Sequence, residues 1–436
     1  MSKKISVVVA LVGLCALSLF LLSCGSSSSR PSGLLYVLTQ GSNGTGNNVS
    51  SFAIDLSSGG LSLINSNAST CVPAGGSCGP PLDILLDPTG AAAFVLNQGV
   101  PSASVAPTIY GYTVNSDGSL GTPTVAATLA TGDTPIAMTR DAAGQFLFVI
   151  DEGSNPSPAN CQFLPPNFPN VACASISVFT MQSGSTSLSS ASGSPFPVGR
   201  IPTALSTVSF TPPSPAGAPA QEFLYVTFNS DPALHNDNTL SAYSVDSSGK
   251  PTDLTPNLPY ATQPDPISVL AVNTNPAGRN SGGLFVYVGN QGAATGAVSV
   301  FQVCTVVNAV CTAQDLTKLV PVGTPTSVGQ KPVGMVVDPT NKFLYVVNEF
   351  SNNVYGFLIG TTAGTLTTLN PPNLSTGSQP VALALHPSVG STGQFLYTSN
   401  SNQSNISGFT LSTTTGSMSS PITVTSPAGP SGMAAR

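Results

Sequence analysis

Only 6% of this chain is charged, so the few side chains able to do acid, base or ionic chemistry stand out. Arg200, Lys331, Glu152 and Glu349 are cations and carboxylates of the kind that activate water or steady a developing oxyanion. Asp133, Asp151, Asn348 and Gln379 are candidates for holding a polar ligand beside them. His235 lies in Asp231-Pro232-Ala233-Leu234-His235-Asn236-Asp237. A histidine between two carboxylates suits proton transfer or metal binding, although an exposed loop without a task would read the same way. His386 precedes Pro387 and is expected to be a turn residue. The sequence has neither a phosphate-cradling glycine loop nor a Gly-x-Ser-x-Gly elbow. No cofactor and no metal are expected.

The elements that must position these residues are written in one short phrase, repeated seven times. It reads Leu35-Tyr36-Val37, Phe94-Val95-Leu96-Asn97, Phe146-Leu147-Phe148-Val149-Ile150-Asp151 and Phe223-Leu224-Tyr225-Val226. It continues as Phe285-Val286-Tyr287-Val288-Gly289-Asn290, Phe343-Leu344-Tyr345-Val346-Val347-Asn348 and Phe395-Leu396-Tyr397-Thr398-Ser399-Asn400. In the sixth copy a strand over 329–337 precedes the turn Asp338-Pro339-Thr340-Asn341. The phrase follows as a second strand, then a third over 353–359 and a fourth over 364–369. Four short strands separated by turn residues, repeated in this way, predict an all-β propeller of seven four-stranded blades. The first copy lacks a preceding strand, whereas Gly429 to Ala435 reads as a first strand with no blade after it. The C-terminal strand is therefore expected to complete the N-terminal blade and close the ring, hiding open sheet edges.

In a propeller the first strand of each blade lines the channel. Loops entering the first strand and leaving the second share one face, the mouth. Asp133, Arg200, Asp265, Lys331 and Gln379 precede first strands. Asn97, Asp151, Glu152, Asn229, Asn290, Asn348, Glu349 and Asn400 follow or end second strands. Arg200, Lys331, Asp151, Glu152 and Glu349 could form a pocket at the mouth or simply a solvated rim. The recurrent Asn suits bonding to loop backbone as well as to a ligand.

The Gly-x-x-Pro first strand, Asp-Pro turn and Phe-Leu-Tyr-Val-x-Asn second strand resemble the YVTN-type repeat of seven-bladed propellers. The pattern is most similar to the lactonase family, which includes 6-phosphogluconolactonase-like proteins and fungal carboxymuconate lactonizing enzymes. The resemblance spans Gly33 to Arg436. It implies lactone hydrolysis as one activity, with Arg200, Lys331, Glu349 and Glu152 lining the pocket. The channel histidine that such relatives use has no counterpart here, because His386 sits in a turn and His235 in a loop.

The N-terminus begins Met1-Ser2-Lys3-Lys4, followed by an apolar run from Ile5 to Leu22, the pattern of an export signal. Leu21-Leu22-Ser23-Cys24 resembles the bacterial lipoprotein lipobox. Residues 1–23 are then a signal peptide, Cys24 the lipidation site, 24–32 a Ser-rich tether and 33–436 the propeller. Gly25 beside the cysteine suggests outer-membrane placement in a Gram-negative cell. Loss of Lys3 and Lys4 leaves 9 basic against 17 acidic residues, a net charge of −8, and no basic patch is visible, which argues against nucleic acid. Six further cysteines fall into the local pairs Cys71–Cys78, Cys161–Cys173 and Cys304–Cys311, expected disulfides in an exported chain. The sequence favours a lipid-anchored envelope propeller that binds a protein, peptide or glycan. The alternative is a lactonase-like hydrolase acting on an extracytoplasmic lactone.

Overall fold

A computed structural model describes residues 33–41, 47–71, 78–130, 133–152, 174–199, 201–211, 220–229, 238–255, 259–274, 283–292, 295–305, 318–387 and 393–436. Seven antiparallel sheets follow one another along the chain. The first strands are Pro81–Leu86, Pro135–Arg140, Pro202–Phe210, Pro266–Asn273, Pro332–Val337, Pro380–His386 and, for blade 1, Pro430–Ala435. The predicted closure is present. Pro430–Ala435 pairs with Leu34–Thr39, Leu35 opposite Ala435 and Val37 opposite Met433. Backbone bonds between Leu34 and Arg436 run both ways, at 3.0 and 2.9 Å.

All seven first strands begin with proline and bulge immediately after it. Proline has no N–H to offer a ladder and is tolerated at the first residue of a strand. The bulge turns each strand as it enters the channel. The fourth strand departs from the prediction in places. In blades 3, 4 and 5 it is broken into two short pieces that both pair with the third strand. In blade 6 it spans Leu366–Ser375 rather than ending at 369, accommodating Pro371 and Pro372 through a register shift.

The repeated phrase is uniform because its environment is uniform. Every residue of Leu34–Thr39, Ala92–Asn97, Phe146–Asp151, Leu284–Asn290, Phe343–Asn348 and Gln394–Asn400 is buried. Strands covered on both faces read as continuous apolar runs. The core is accordingly divided into seven clusters, each between two neighbouring blades. The seam between blades 7 and 1, for example, packs Phe395, Tyr397 and Ile406 against Leu35, Val37 and Phe52.

In four blades a tyrosine within the phrase fastens the blade to the next. Tyr36 donates to the Gly118 carbonyl at 2.9 Å, Tyr287 to Gly364 at 2.9 Å, Tyr345 to Gly416 at 2.7 Å and Tyr397 to Gly59 at 2.9 Å. Each acceptor glycine lies in the hairpin between the third and fourth strands of the following blade, with φ between 66° and 87°. A Cβ on Gly416 would collide with the Phe343 ring, and one on Gly59 with Phe395. Position and conformation both demand glycine. Burial pushes the phenol pKa of Tyr287, Tyr345 and Tyr397 upward, so each stays a donor. Blades 2 and 3 carry Phe94 and Phe148 instead, so the position tolerates a ring without a hydroxyl. Tyr345→Phe is expected to keep the fold but lose about 1–2 kcal/mol, since it orphans a buried carbonyl; urea unfolding of the two proteins measures this.

Candidate functional site

At the mouth, one backbone bond recurs in all seven blades. The N–H of the residue just after the second strand donates to the carbonyl of the residue just before the first strand. The pairs are Gln40 to Gly429, Gln98 to Pro80, Glu152 to Thr134, Asn229 to Ile201, Gln291 to Asp265, Glu349 to Lys331 and Ser401 to Gln379, at 2.8–3.0 Å. In five of the seven the acceptor has a left-handed backbone: Ile201, Asp265, Lys331, Gln379 and Gly429. For Ile201, branched at Cβ, this is a strained conformation. The donor residues form a ring of seven polar side chains, none fully buried. Five are uncharged: Gln40, Gln98, Asn229, Gln291 and Ser401. The phrase pointed to Glu152, Asn229 and Glu349 of this ring but not to the other four, because its most regular polar residue is the Asn one place earlier. Reading one residue further in each copy would have found it.

The predicted site residues divide accordingly. Glu349 and Lys331 come together at the rim, with Nζ 2.7 Å from Oε2. The same ammonium lies 4.8 Å from the centre of the half-exposed Phe350 ring. Much of each charge is therefore spent on the other. Glu152 is exposed in the ring. Gln379 is exposed and donates its backbone N–H to Asn352 Oδ1 at 2.7 Å. Asp133 is buried and closes its own loop by accepting the Ala130 N–H at 3.0 Å. Asp151 and Asn348 are fully buried within their blades: Asp151 accepts from the Ser175 hydroxyl at 2.8 Å and Asn348 donates to Asn353 Oδ1 at 2.9 Å. Asn97, Asn290 and Asn400 are buried likewise and donate to groups of the loops or strands beside them. Arg200, His235, Cys24, Cys161, Cys173 and Cys311 lie outside the described residues. Cys71–Cys78 is bonded, and Cys304 is buried and disulfide-bonded. His386 is buried at the end of the blade 7 first strand, tilted against Phe395 and away from the mouth.

The channel itself holds a cavity of about 450 Å³ reached by all seven first strands. Residues following the strand prolines form its outer collar: Leu82, Ile136, Thr203, Ile267, Val333, Val381 and Ser431. Asp83 lies one residue deeper and is the one charged side chain among the described residues that line the cavity. Its Oδ1 accepts the Ile84 N–H at 2.8 Å and its Oδ2 the Met138 N–H of blade 3 at 3.1 Å. Burial pushes its pKa up to about 6, against those two bonds. The sequence reading passed over Asp83 because it is embedded in a strand. The signal was there in Pro81-Leu82-Asp83, where the other blades place a small residue two positions after proline.

A second cleft, of about 620 Å³, opens on the opposite face between blades 3 and 4 and is bordered by Asp141, Glu222 and Asp246. Burial, helped by the Asp141 charge, pushes Glu222 up to about 7. Among the described residues no group of three or more His, Cys, Asp or Glu is arranged to hold a metal ion.

The family model described as "Lactonase, 7-bladed beta-propeller" matches residues 310–431. The fold is a seven-bladed propeller, and the match covers its C-terminal part. Solved structures extend the likeness over nearly the whole chain. A protein of Bacteroides fragilis provisionally assigned as a 6-phosphogluconolactonase is 15% identical, with a TM-score of 0.57, covering 94% of this chain and 99% of its own. A similarly assigned protein of Bacteroides uniformis is 14% identical, with a TM-score of 0.60, covering 93% and 100%. The periplasmic gluconolactonase of Pseudomonas aeruginosa is 16% identical, with a TM-score of 0.59, covering 92% and 98%. No curated protein matches the sequence. At these identities the likeness establishes the lactonase-type propeller as a fold and leaves activity to the residues at the mouth and channel.

Glu222 makes stability depend on pH. Its proton is held up to about 7 in the folded chain and leaves near 4.5 when unfolded, so folding weakens as pH rises through that interval. Glu222→Gln is expected to stabilise the chain by on the order of 1 kcal/mol above pH 7, after discounting for partial exposure, and to change little below pH 4.5. Denaturant unfolding at the two pH values tests the sign.

Proposed function

We propose that the protein is an envelope-anchored propeller whose mouth binds an uncharged polar ligand, a peptide or a glycan. The ring of seven side chains after the second strands carries this reading. Amide and hydroxyl groups on five of seven rigid hydrogen-bonded corners are the donors and acceptors that amide backbones and sugar hydroxyls match. The half-exposed Phe350 beside the ring adds an apolar contact. Low overall charge and the mutual neutralisation of Lys331 and Glu349 suit the same ligands. Anchoring rests on the lipobox-like sequence ending at Cys24 and on local cysteine pairs of the kind found in exported chains.

Lactone hydrolysis is the second reading, favoured by the family match over residues 310–431. It needs a base to activate water and donors to hold the oxyanion. Lys331 and Glu349 are the pair that could supply these at the rim.

Two experiments separate the readings. The mature chain, applied to peptide and glycan arrays, is expected to show saturable binding that Gln98→Ala/Gln291→Ala weakens about tenfold or more. A panel of lactones is expected to show no turnover above buffer. Hydrolysis that falls in both Glu349→Gln and Lys331→Ala would overturn the binding reading in favour of the enzyme. Metabolic labelling with palmitate is expected to mark the wild-type chain and not Cys24→Ser.

A further inference from the structure

We propose that the central channel is a separate binding site for a small organic cation, a primary ammonium group on an apolar body, held by Asp83. The site lies inside the ring of first strands and does not depend on the mouth having a ligand.

The carboxylate exceeds what the fold requires. At the position Asp83 occupies, the other six blades carry Ala137, Ala204, Ser268, Gly334, Ala382 and Gly432. Small residues are needed where blades crowd the channel: a Cβ on Gly334 would come within 2.6 Å of Leu383 in the next blade. Blade 2 instead accommodates a carboxylate, and its neighbour at the place of Leu383 is the adaptable Met138. Clipping one blade to the next does not explain the charge. In blade 5 the neutral Ser268 does that at the same register, donating to the Pro332 carbonyl at 2.7 Å.

The charge is also uncompensated. The cations on the flanking first strands are Arg140 and Arg436, at the far ends of those strands. Arg140 is committed to the Leu86 and Asp141 carbonyls and Arg436 to the Gly90 carbonyl. No other titratable side chain is among the described residues lining the cavity. Two backbone N–H bonds leave lone pairs on both oxygens, and a buried carboxylate gains most from a cation that can also donate hydrogen bonds.

The rest of the cavity selects the kind of cation. Hard metal ions want six or more oxygen ligands, whereas the side chains of this wall offer one carboxylate and the hydroxyls of Thr203, Ser268 and Ser431; most of the exposed lining is polar, with aliphatic side chains set between. It has no aromatic cage for a quaternary ammonium. A primary ammonium with an alkyl chain fits both parts: its N–H groups face Asp83 and its carbons face Ile136, Val333 and Val381. A volume of about 450 Å³ lies within the ordinary range for small-molecule sites.

The test uses the mature chain and linear alkylamines from butylamine to octylamine, with hexanol and hexanoate as neutral and anionic controls. Calorimetry is expected to show saturable binding of at least one amine and none of hexanoate. Binding weakens about tenfold or more in Asp83→Asn. It strengthens as pH rises through about 6, where Asp83 loses its proton, and levels off above. The backbone amide resonances of Ile84 and Met138, whose N–H groups bond to Asp83, shift as the amine is added. Asp83→Ser, which copies blade 5, serves if the Asn variant misfolds. Absence of binding by every amine in the series, or binding that survives both substitutions unchanged, overturns the proposal without bearing on peptide or glycan binding at the mouth.

Discussion

The structure depends on the way one blade is held to the next. A single four-stranded sheet has two apolar faces and cannot cover both alone. Here each face is covered by a neighbour, and at four junctions a tyrosine hydroxyl reaching a hairpin carbonyl in the following blade fixes their relative position. Rigid spacing of the sheets makes the mouth a ring of defined corners and the channel a cavity of defined width. The same direction of contact, from each blade to the one after it, persists across the seam where Tyr397 reaches Gly59, 338 residues away in sequence. Closure therefore uses the bond found at three other junctions, and adds to it the pairing of the C-terminal strand with Leu34–Thr39.

Much of this was legible in the sequence, for identifiable reasons. The phrase ending in Asn348 could be read as a strand because both its faces are buried and its apolar run is unbroken. The role of Asp338 was legible as well. A carboxylate that accepts the N–H groups of Lys342 and Phe343, at 2.7 Å each, is a local turn motif contained within a few residues. Ring closure could be inferred because a first strand was missing at one end and left over at the other.

What escaped, ring closure apart, was the side-chain contacts between partners far apart in the chain. Tyr345 looks like one more strand aromatic until Gly416 is placed against it. Asp83 is an unremarked acid in an apolar stretch until seven strands are set around one axis. Nor could spacing alone show that Lys331 and Glu349 would meet, or that Asp151 and Asn348 would turn inward while Glu152 remained outside. The breaks in the outer strands of blades 3 to 5 were equally hidden, since edge strands carry weak apolar patterning and little selection for register.

The position of the chain ends has an orientational consequence. Gly33 begins the second strand of blade 1 beside His386, and Arg436 finishes the first strand beside Gly90, so both termini of the wheel emerge at the rear, behind the Asp-Pro turns. A propeller leashed through its leading segment is gripped from the back. Under the anchoring at Cys24 proposed above, the polar ring looks away from the membrane, and the cavity at the axis opens on the same side.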